Sequence, residues 1–235
     1  MTTISDNKNY VSERILYEDN HLIVVNKLPS EIVQGDKTGD TPLSEIVKAY
    51  LKDKYQKPGN VFTGVIHRID RPASGVVIFA KTGKALTRMN EIVKTRGIKK
   101  TYWAIVQKKP ESPQGELVHY LVRNSKNNKS TAHLRPVPDS KEGILSYITI
   151  GKSDKYYLLE INLKTGRHHQ IRAQLATIGS PIKGDLKYGF SRSNNDASIS
   201  LHARSVEFIH PVKKETIKIV ADPPKDSLWN YFSEL

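Results

Sequence analysis

His67-Arg68-Ile69-Asp70-Arg71-Pro72-Ala73-Ser74-Gly75 sets one carboxylate between two arginines, immediately before the apolar run Val76-Val77-Ile78-Phe79-Ala80. Nearby positive charge favours the charged form of a carboxyl group. An ionised, oriented aspartate is a candidate nucleophile. No second acidic residue stands close by in the chain to serve as its acid–base partner, so this loop offers the chemistry of a single carboxylate. A plainer use of the same residues is a structural ion pair between Asp70 and Arg68 or Arg71.

Two further segments carry groups that would suit such chemistry. Lys164-Thr165-Gly166-Arg167-His168-His169-Gln170-Ile171-Arg172 reads as a strand end, a glycine turn and a helix start. Arg167 would then stand beside the unpaired N–H groups of a first helical turn, which favour anions; a solvated basic turn is the alternative. Ile171, Leu175 and Ile178 give that helix its packed stripe. In Lys99-Lys100-Thr101-Tyr102-Trp103-Ala104-Ile105-Val106, alternation puts Lys100, Tyr102 and Ala104 on one strand face. The Tyr102 ring can stack on a nucleobase and its phenol can assist proton transfer, or it can pack across the sheet as a core aromatic. Gly179 to Gly189 reads as a shaped loop whose Lys183 and Lys187 are candidate phosphate contacts.

Charge narrows the substrate class. Thirty-seven Lys and Arg against 24 Asp and Glu give a formal charge of +13 over 235 residues. Such an excess attracts polyanions through summed electrostatics and counterion release. Residues 81–100 hold seven Lys or Arg and one acid, Glu91. No stretch approaches the roughly 20 apolar residues of a spanning helix, and MTTISDNKNY has no secretory apolar segment, so no membrane partner and a cytoplasmic location are expected. The absence of cysteine excludes disulfides, thiolate catalysis and cysteine zinc sites. The eight histidines form no HExxH pattern, and no Asp/Glu cluster accompanies them, so no metal site is expected. Neither GxxxxGK[ST] nor GxGxxG is present, and no nucleotide cofactor is expected.

The elements that must position these groups are legible in outline. Residues 1–12 are polar and read as a flexible N-terminal segment. Ile15-Leu16-Tyr17 and Leu22-Ile23-Val24-Val25 read as strands around the turn Glu18-Asp19-Asn20. Thr41-Pro42 reads as a hydroxyl-capped helix start, followed by the apolar face Leu43, Ile46, Val47, Tyr50 and Leu51. A second helix turns Leu86, Met89, Ile92 and Val93 inward and ends at Gly97. Strands are expected over 100–107, 116–122, 143–150, 155–163, 200–208 and 215–220, with a long loop or hairpin tip over 123–142. A last helix spans roughly 168–178, closed by Gly179 and Pro181. Many strands with few helices, not in strict alternation, indicate an α+β fold with a mixed, largely antiparallel sheet. No linker interrupts the pattern, and 13–235 reads as one domain.

Taken together, the segments resemble the RluA-type pseudouridine synthases over roughly residues 13–220. The likeness runs through Tyr17-Glu18-Asp19 and Leu22-Ile23-Val24-Val25-Asn26-Lys27, the HRIDRPASG loop with Val76 to Thr82, KKTYWAIV, TGRHHQIRAQLATIGSPIKGDLKYG, Leu201-His202-Ala203 and Phe208-Ile209-His210-Pro211. The resemblance implies a pseudouridine synthase fold, a long mixed mainly antiparallel sheet with flanking helices and a basic cleft, acting as an isomerase of uridines in ribosomal or transfer RNA. It implies Asp70 as the catalytic aspartate, Arg167 as its guanidinium partner and Tyr102 as the base-stacking tyrosine. Arg68 would help hold the flipped nucleotide open, and Ile171 and Leu201 would add apolar walls. His67, Arg71, Lys100 and Arg172 complete the candidate substrate-binding set. The expected protein is a monomer that binds structured RNA, lacks the RNA-binding S4 domain of many relatives and uses no cofactor. A non-catalytic RNA-binding or RNA-chaperone protein on the same fold is the alternative. Departures from the family pattern fall at Ala73, in Lys27-Leu28-Pro29-Ser30-Glu31 where many members carry Lys-Pro-x-Gly, and at Gln174 where a histidine is common.

Overall fold

The computed structural model describes residues 11–235; the first ten residues of the expected N-terminal segment lie outside the described residues. In chain order the strands are β1 (Ile15–Glu18), β2 (Leu22–Lys27), β3 (Gly64–Val65), β4 (Ser74–Ala80), β5 (Lys99–Val106), β6 (Gln114–Asn124), β7 (Lys129–His133), β8 (Lys141–Lys152), β9 (Tyr157–Leu163), β10 (Leu201–Ile209) and β11 (Thr216–Val220). The helices are α1 (Leu43–Lys54), α2 (Gly83–Lys94), α3 (Gln170–Thr177) and α4 (Ser227–Ser233). The fold is α+β. It comprises two compact units, one running through Ile98 and resuming over Arg204–Asp222, the other formed by Lys99–Ala203 and Pro223–Leu235.

The first unit is built on β2 and β4, which pair antiparallel from Leu22 opposite Ala80 to Lys27 opposite Gly75. Every residue of β4 is buried, because both of its faces are covered. Val76, Ile78 and Ala80 pack with Leu22, Val24, Met89 of α2, Val206 and Phe208 of β10 and Ile219 of β11. Val77 and Phe79 pack with Ile23, Val25 and the α1 residues Leu43, Ile46, Val47 and Leu51. A strand with helices on both faces needs a continuous apolar run rather than alternation, which is what 76–80 supplies. Val11, assigned by composition to the flexible start, is fully buried in the α1-side core.

Two helix ends differ from expectation. No hydroxyl caps α1: Pro42 is the cap residue, and the first amides, of Leu43 and Ser44, donate to the backbone carbonyls of Ile32 and Val33 at 2.8 and 3.2 Å. At the end of α2 the left-handed residue is Arg96, φ 59°, not Gly97. Gly97 is fitted to close approach instead, since a Cβ there would stand 3.0 Å from Ile92 Cγ2.

The second unit is an antiparallel series, β5 beside β9, β9 beside β8, β8 beside β6 and β6 beside β7. The segment 123–142, expected as loop or hairpin tip, contains β7, whose Lys129–His133 return along Asn124–Tyr120 of β6. The helix α4 had no counterpart in the sequence reading. Asp226 caps it, accepting from the Leu228 and Trp229 amides at 2.9 Å, and Trp229 and Phe232 pack on Ile105 and Leu158. Among the described residues no helix is long and apolar enough to cross a membrane.

Glu18 at the end of β1 shows how this basic chain uses its few acids. It accepts from Lys54 and Lys81 at 2.8 Å and from the Tyr55 hydroxyl at 2.7 Å. Burial pushes its carboxyl up, and these three donors override that and hold it down to about 2, against an ordinary 4.5. A depressed carboxylate stabilises the fold above its unfolded value, and that stabilisation is lost as pH falls from 4.5 toward 2. Urea midpoints of wild type and Glu18→Gln are therefore expected to differ at pH 6 and to converge on acidification. Trp229→Ala is expected to cost about 3–5 kcal/mol in the same unfolding assay.

Candidate functional site

The Asp70 loop joins β3 to β4. Its path is fixed by backbone acceptors and one glycine. The Asp70 carbonyl accepts from Ala73 N–H at 3.0 Å, closing a turn over Arg71 and Pro72. The Arg71 carbonyl accepts from Ser30 N–H at 2.9 Å and from Lys27 Nζ at 3.1 Å. Gly75, the second residue of β4, has φ 115°, a region that side chains disfavour. Ile69 is partly buried against the α1-side core, so the residues either side of Asp70 are anchored while Asp70 itself is half-buried.

The charged neighbours have distinct tasks. Arg71 directs its guanidinium to Asp40, 2.5 Å, and Thr38, 3.4 Å. His67 is half-buried, with Nε2 accepting from Ile78 N–H at 3.3 Å, so it ties the loop to β4. Arg68 is exposed. Lys27 is fully buried. Burial pulls its ammonium down to about 7, opposed by the charges of Glu31 and Asp70.

Of the residues assigned to the second unit, Tyr102 is 9% exposed on β5 opposite Ile161 of β9. Lys100, two residues earlier on the same face, is half-buried, and desolvation lowers its pKa. Arg167 is half-buried in the turn after β9. That turn is organised by Gln170, which the sequence reading did not single out. Gln170 Oε1 accepts from Arg167 N–H at 3.0 Å and from the Thr165 hydroxyl at 2.8 Å, and Nε2 donates to the Ile144 carbonyl at 3.1 Å. Helix α3 starts only at Gln170, with His169 left-handed at φ 51°. The Arg167 amide is therefore satisfied by a side chain rather than presented to an anion. Arg167 Nε donates to the Glu142 carbonyl at 2.9 Å, which fixes the direction of its guanidinium.

Three basic residues offered as ligand contacts have partners within the protein. Arg172 is 4% exposed and grips Asp185, itself 1% exposed, with Nε–Oδ2 2.7 Å and Nη2–Oδ1 2.9 Å. Its guanidinium also lies 5.0 Å from the Tyr188 ring centre. Buried charges need such pairing, and this pair fastens the 179–189 loop to α3. Lys183 donates to Asn194 at 2.6 Å, and Lys187 to the carbonyls of Asn127 and Asn128 at 3.4 and 3.2 Å. Ile171 and Leu201 are each 4% exposed and belong to the packed interior. Asp70, His67, Arg68 and Arg71 thus come together on the first unit. Lys100, Tyr102 and Arg167 are held on the second.

Removing one member of the Arg172 pair would strand a buried charge. Arg172→Ala is expected to lose about 3–5 kcal/mol of unfolding free energy, whereas loss of a substrate contact alone would leave the unfolding midpoint unchanged.

The comparisons with known proteins bear on the whole chain. Residues 21–177 match the family described as RNA pseudouridylate synthase. The chain is 32% identical over 225 residues to ribosomal large subunit pseudouridine synthase D of Xylella fastidiosa, covering 90% of this chain and 66% of that protein. It is 32% identical over 223 residues to the synthase of the same name from Zymomonas mobilis, covering 90% and 69%. The chain thus spans about two thirds of the length of these relatives. In fold it is similar to human RNA pseudouridylate synthase domain containing 4, with TM-score 0.80 and 21% identity over 96% of this chain and 94% of the other. With its aspartate loop seated at the mouth of a doubly covered strand and most of its length matched, the chain belongs to the RNA pseudouridylate synthase family.

Proposed function

We propose that this protein isomerises specific uridines of structured RNA to pseudouridine, with residues 13–235 acting as one catalytic domain in the cytoplasm. The observation that carries the reading is the HRIDRPASG loop, held rigidly by β4 and Lys27, inside a match to the synthase family. The relatives named for the ribosomal large subunit favour ribosomal RNA as the substrate, with transfer RNA as the other candidate. A monomer without nucleotide cofactor suffices for this chemistry.

The reaction breaks the N1–C1′ bond of uridine, turns the base, and joins C5 to C1′. Atoms are rearranged, with no net redox change. A target base inside folded RNA must first be flipped out, at a cost of a few kcal/mol. Phosphate contacts from the +13 chain and stacking on Tyr102, about 1–3 kcal/mol per base, offset that. Asp70 is assigned as the essential carboxylate, which acts at the sugar, at the base or on the 2′ proton. Arg167 is assigned as its guanidinium partner. Tyr102 assists departure of the C5 proton after the new bond forms. Arg68, Arg71 and Lys100 supply substrate contacts, and His67 holds the loop against β4.

RNA tritiated at uridine C5 tests the assignment directly. The wild-type protein is expected to release tritium to water without shortening the RNA. Asp70→Asn is expected to abolish release while RNA affinity stays within about twofold, and Arg167→Ala to lose most of it. Substantial turnover in a clean Asp70→Asn preparation overturns the reading.

A further inference from the structure

Lys27 is a lysine with no exposed surface in a chain that has ample solvent-facing room for lysines. Its Nζ donates to three backbone carbonyls: Leu28 at 2.8 Å, Glu31 at 2.9 Å and Arg71 at 3.1 Å. An ammonium has three N–H donors and matches three acceptors; a neutral amine has two and leaves one carbonyl unmatched. Two of these carbonyls belong to the turn 28–31, and the third belongs to the residue after Asp70.

The turn itself is held by an ion pair. Glu31 accepts from Arg14 through both oxygens, at 2.8 and 2.9 Å, and its Oε2 also accepts from Leu28 N–H at 2.8 Å. Arg14 in turn donates to the Asn26 carbonyl at 3.2 Å, and Asn26 N–H to the Arg14 carbonyl at 2.8 Å. Ser30 occupies the left-handed region at φ 70° and donates its N–H to the Arg71 carbonyl. That carbonyl therefore receives two donors, Ser30 N–H from the braced turn and Lys27 Nζ from the end of β2. The side chains of Arg14 and Glu31 are mostly buried, 11% and 22% exposed.

We infer that Arg14, Glu31 and Lys27 form a positioning relay for Asp70, in which the Arg14–Glu31 pair fixes the 28–31 turn and Lys27 carries that fixation to the Arg71 carbonyl beside the carboxylate. The relay rests on Asp70 being the essential carboxylate. Lys27, Glu31 and Arg14 are positioning residues and touch no substrate. The charged groups that act on Lys27 are Glu31 and Asp70, which favour its ammonium, and Arg14 and Arg71, which oppose it. Removing the Glu31 charge therefore makes the Lys27 proton easier to lose and pulls apart the three-carbonyl clamp at lower pH.

The test is tritium release from C5-labelled RNA, with kcat and KM measured across pH for wild type, Glu31→Gln, Arg14→Ala, Arg14→Lys and Asp70→Asn. Glu31→Gln keeps the size of the side chain and an acceptor for Leu28 N–H, so it carries the test even where Lys27→Met fails to fold. Glu31→Gln, assayed at a temperature at which it is fully folded, is expected to lower kcat about tenfold or more through misplacement of Asp70, with KM within about twofold and the alkaline limb of kcat displaced to lower pH. Arg14→Lys is expected to retain more kcat than Arg14→Ala. Wild-type kcat and an unmoved pH profile in Glu31→Gln, beside an inactive Asp70→Asn, overturn the relay and leave the assignment of Asp70 standing. Turnover in Asp70→Asn overturns that assignment and the relay with it.

Discussion

An ammonium removed from water must recover its lost hydrogen bonds from the protein, and Lys27 recovers three from backbone carbonyls that belong to two separate stretches of chain. Backbone acceptors cannot move without moving the fold. The turn after β2 and the loop before β4 are thus tied at one atom, and the tie lies next to Asp70. An unpaired charge in that place would be far more costly than the pairing is beneficial. The buried lysine therefore acts as a constraint on loop shape more than as a source of stability. The complete burial of β4 supplies the other constraint. The strand cannot shift register without turning Val76, Ile78 and Ala80 into the wrong core, so the loop that feeds it has a fixed exit.

The second unit solves a similar problem with different chemistry. Gln170 bridges Arg167, Thr165 and Ile144, and the Arg172–Asp185 pair joins α3 to the following loop. Both are buried and directional, the condition under which polar groups inside a protein specify geometry. Arg167 sits at the junction of these devices. Its amide is taken by Gln170 and its Nε by the Glu142 carbonyl, which leaves little freedom in the base of the side chain. A guanidinium held in this way loses little entropy when it meets an anion.

What could be read from the residues alone divides along the same physical line. The two helices packed on β2 and β4 announced themselves because one-sided burial imposes a 3.6-residue period, and Leu43, Ile46, Val47 and Leu51 all lie inward. The continuous run 76–80 announced a strand covered on both faces. The Asp70 loop stood out because charge, proline and glycine are concentrated in nine residues. Partner identity was not legible. Arg172 and Lys187 look like ligand contacts when only their own segments are considered, and it is Asp185 and the carbonyls of residues 127 and 128, 13 and about 60 positions away, that employ them. The cap of α1 was missed for the same reason, since its acceptors come from Ile32 and Val33 rather than from Thr41. In α4 a signal was present: Asp226 ahead of Ser227-Leu228-Trp229 is a cap followed by an apolar residue pair. Gln170 gave no signal, because a glutamine that organises a turn is indistinguishable in sequence from one that faces water.

A uridine isomerisation draws on no external reductant or phosphoryl donor, so an enzyme performing it must obtain its rate from placement and electrostatics. Placement is effective only where the reacting group is already ordered before substrate arrives. In this chain the residue following the candidate carboxylate is bonded through its carbonyl to Ser30 N–H of the braced turn and to the buried Lys27 at the end of β2. The residue preceding it, Ile69, is packed into a core. The side chain between them is half-buried on this anchored backbone. The same division appears at Arg167, fixed by Gln170 and the Glu142 carbonyl at its base. Both groups assigned to the chemistry are thus carried on backbone that the fold, not the substrate, has immobilised, and the ordering cost is met when the protein folds rather than when RNA binds.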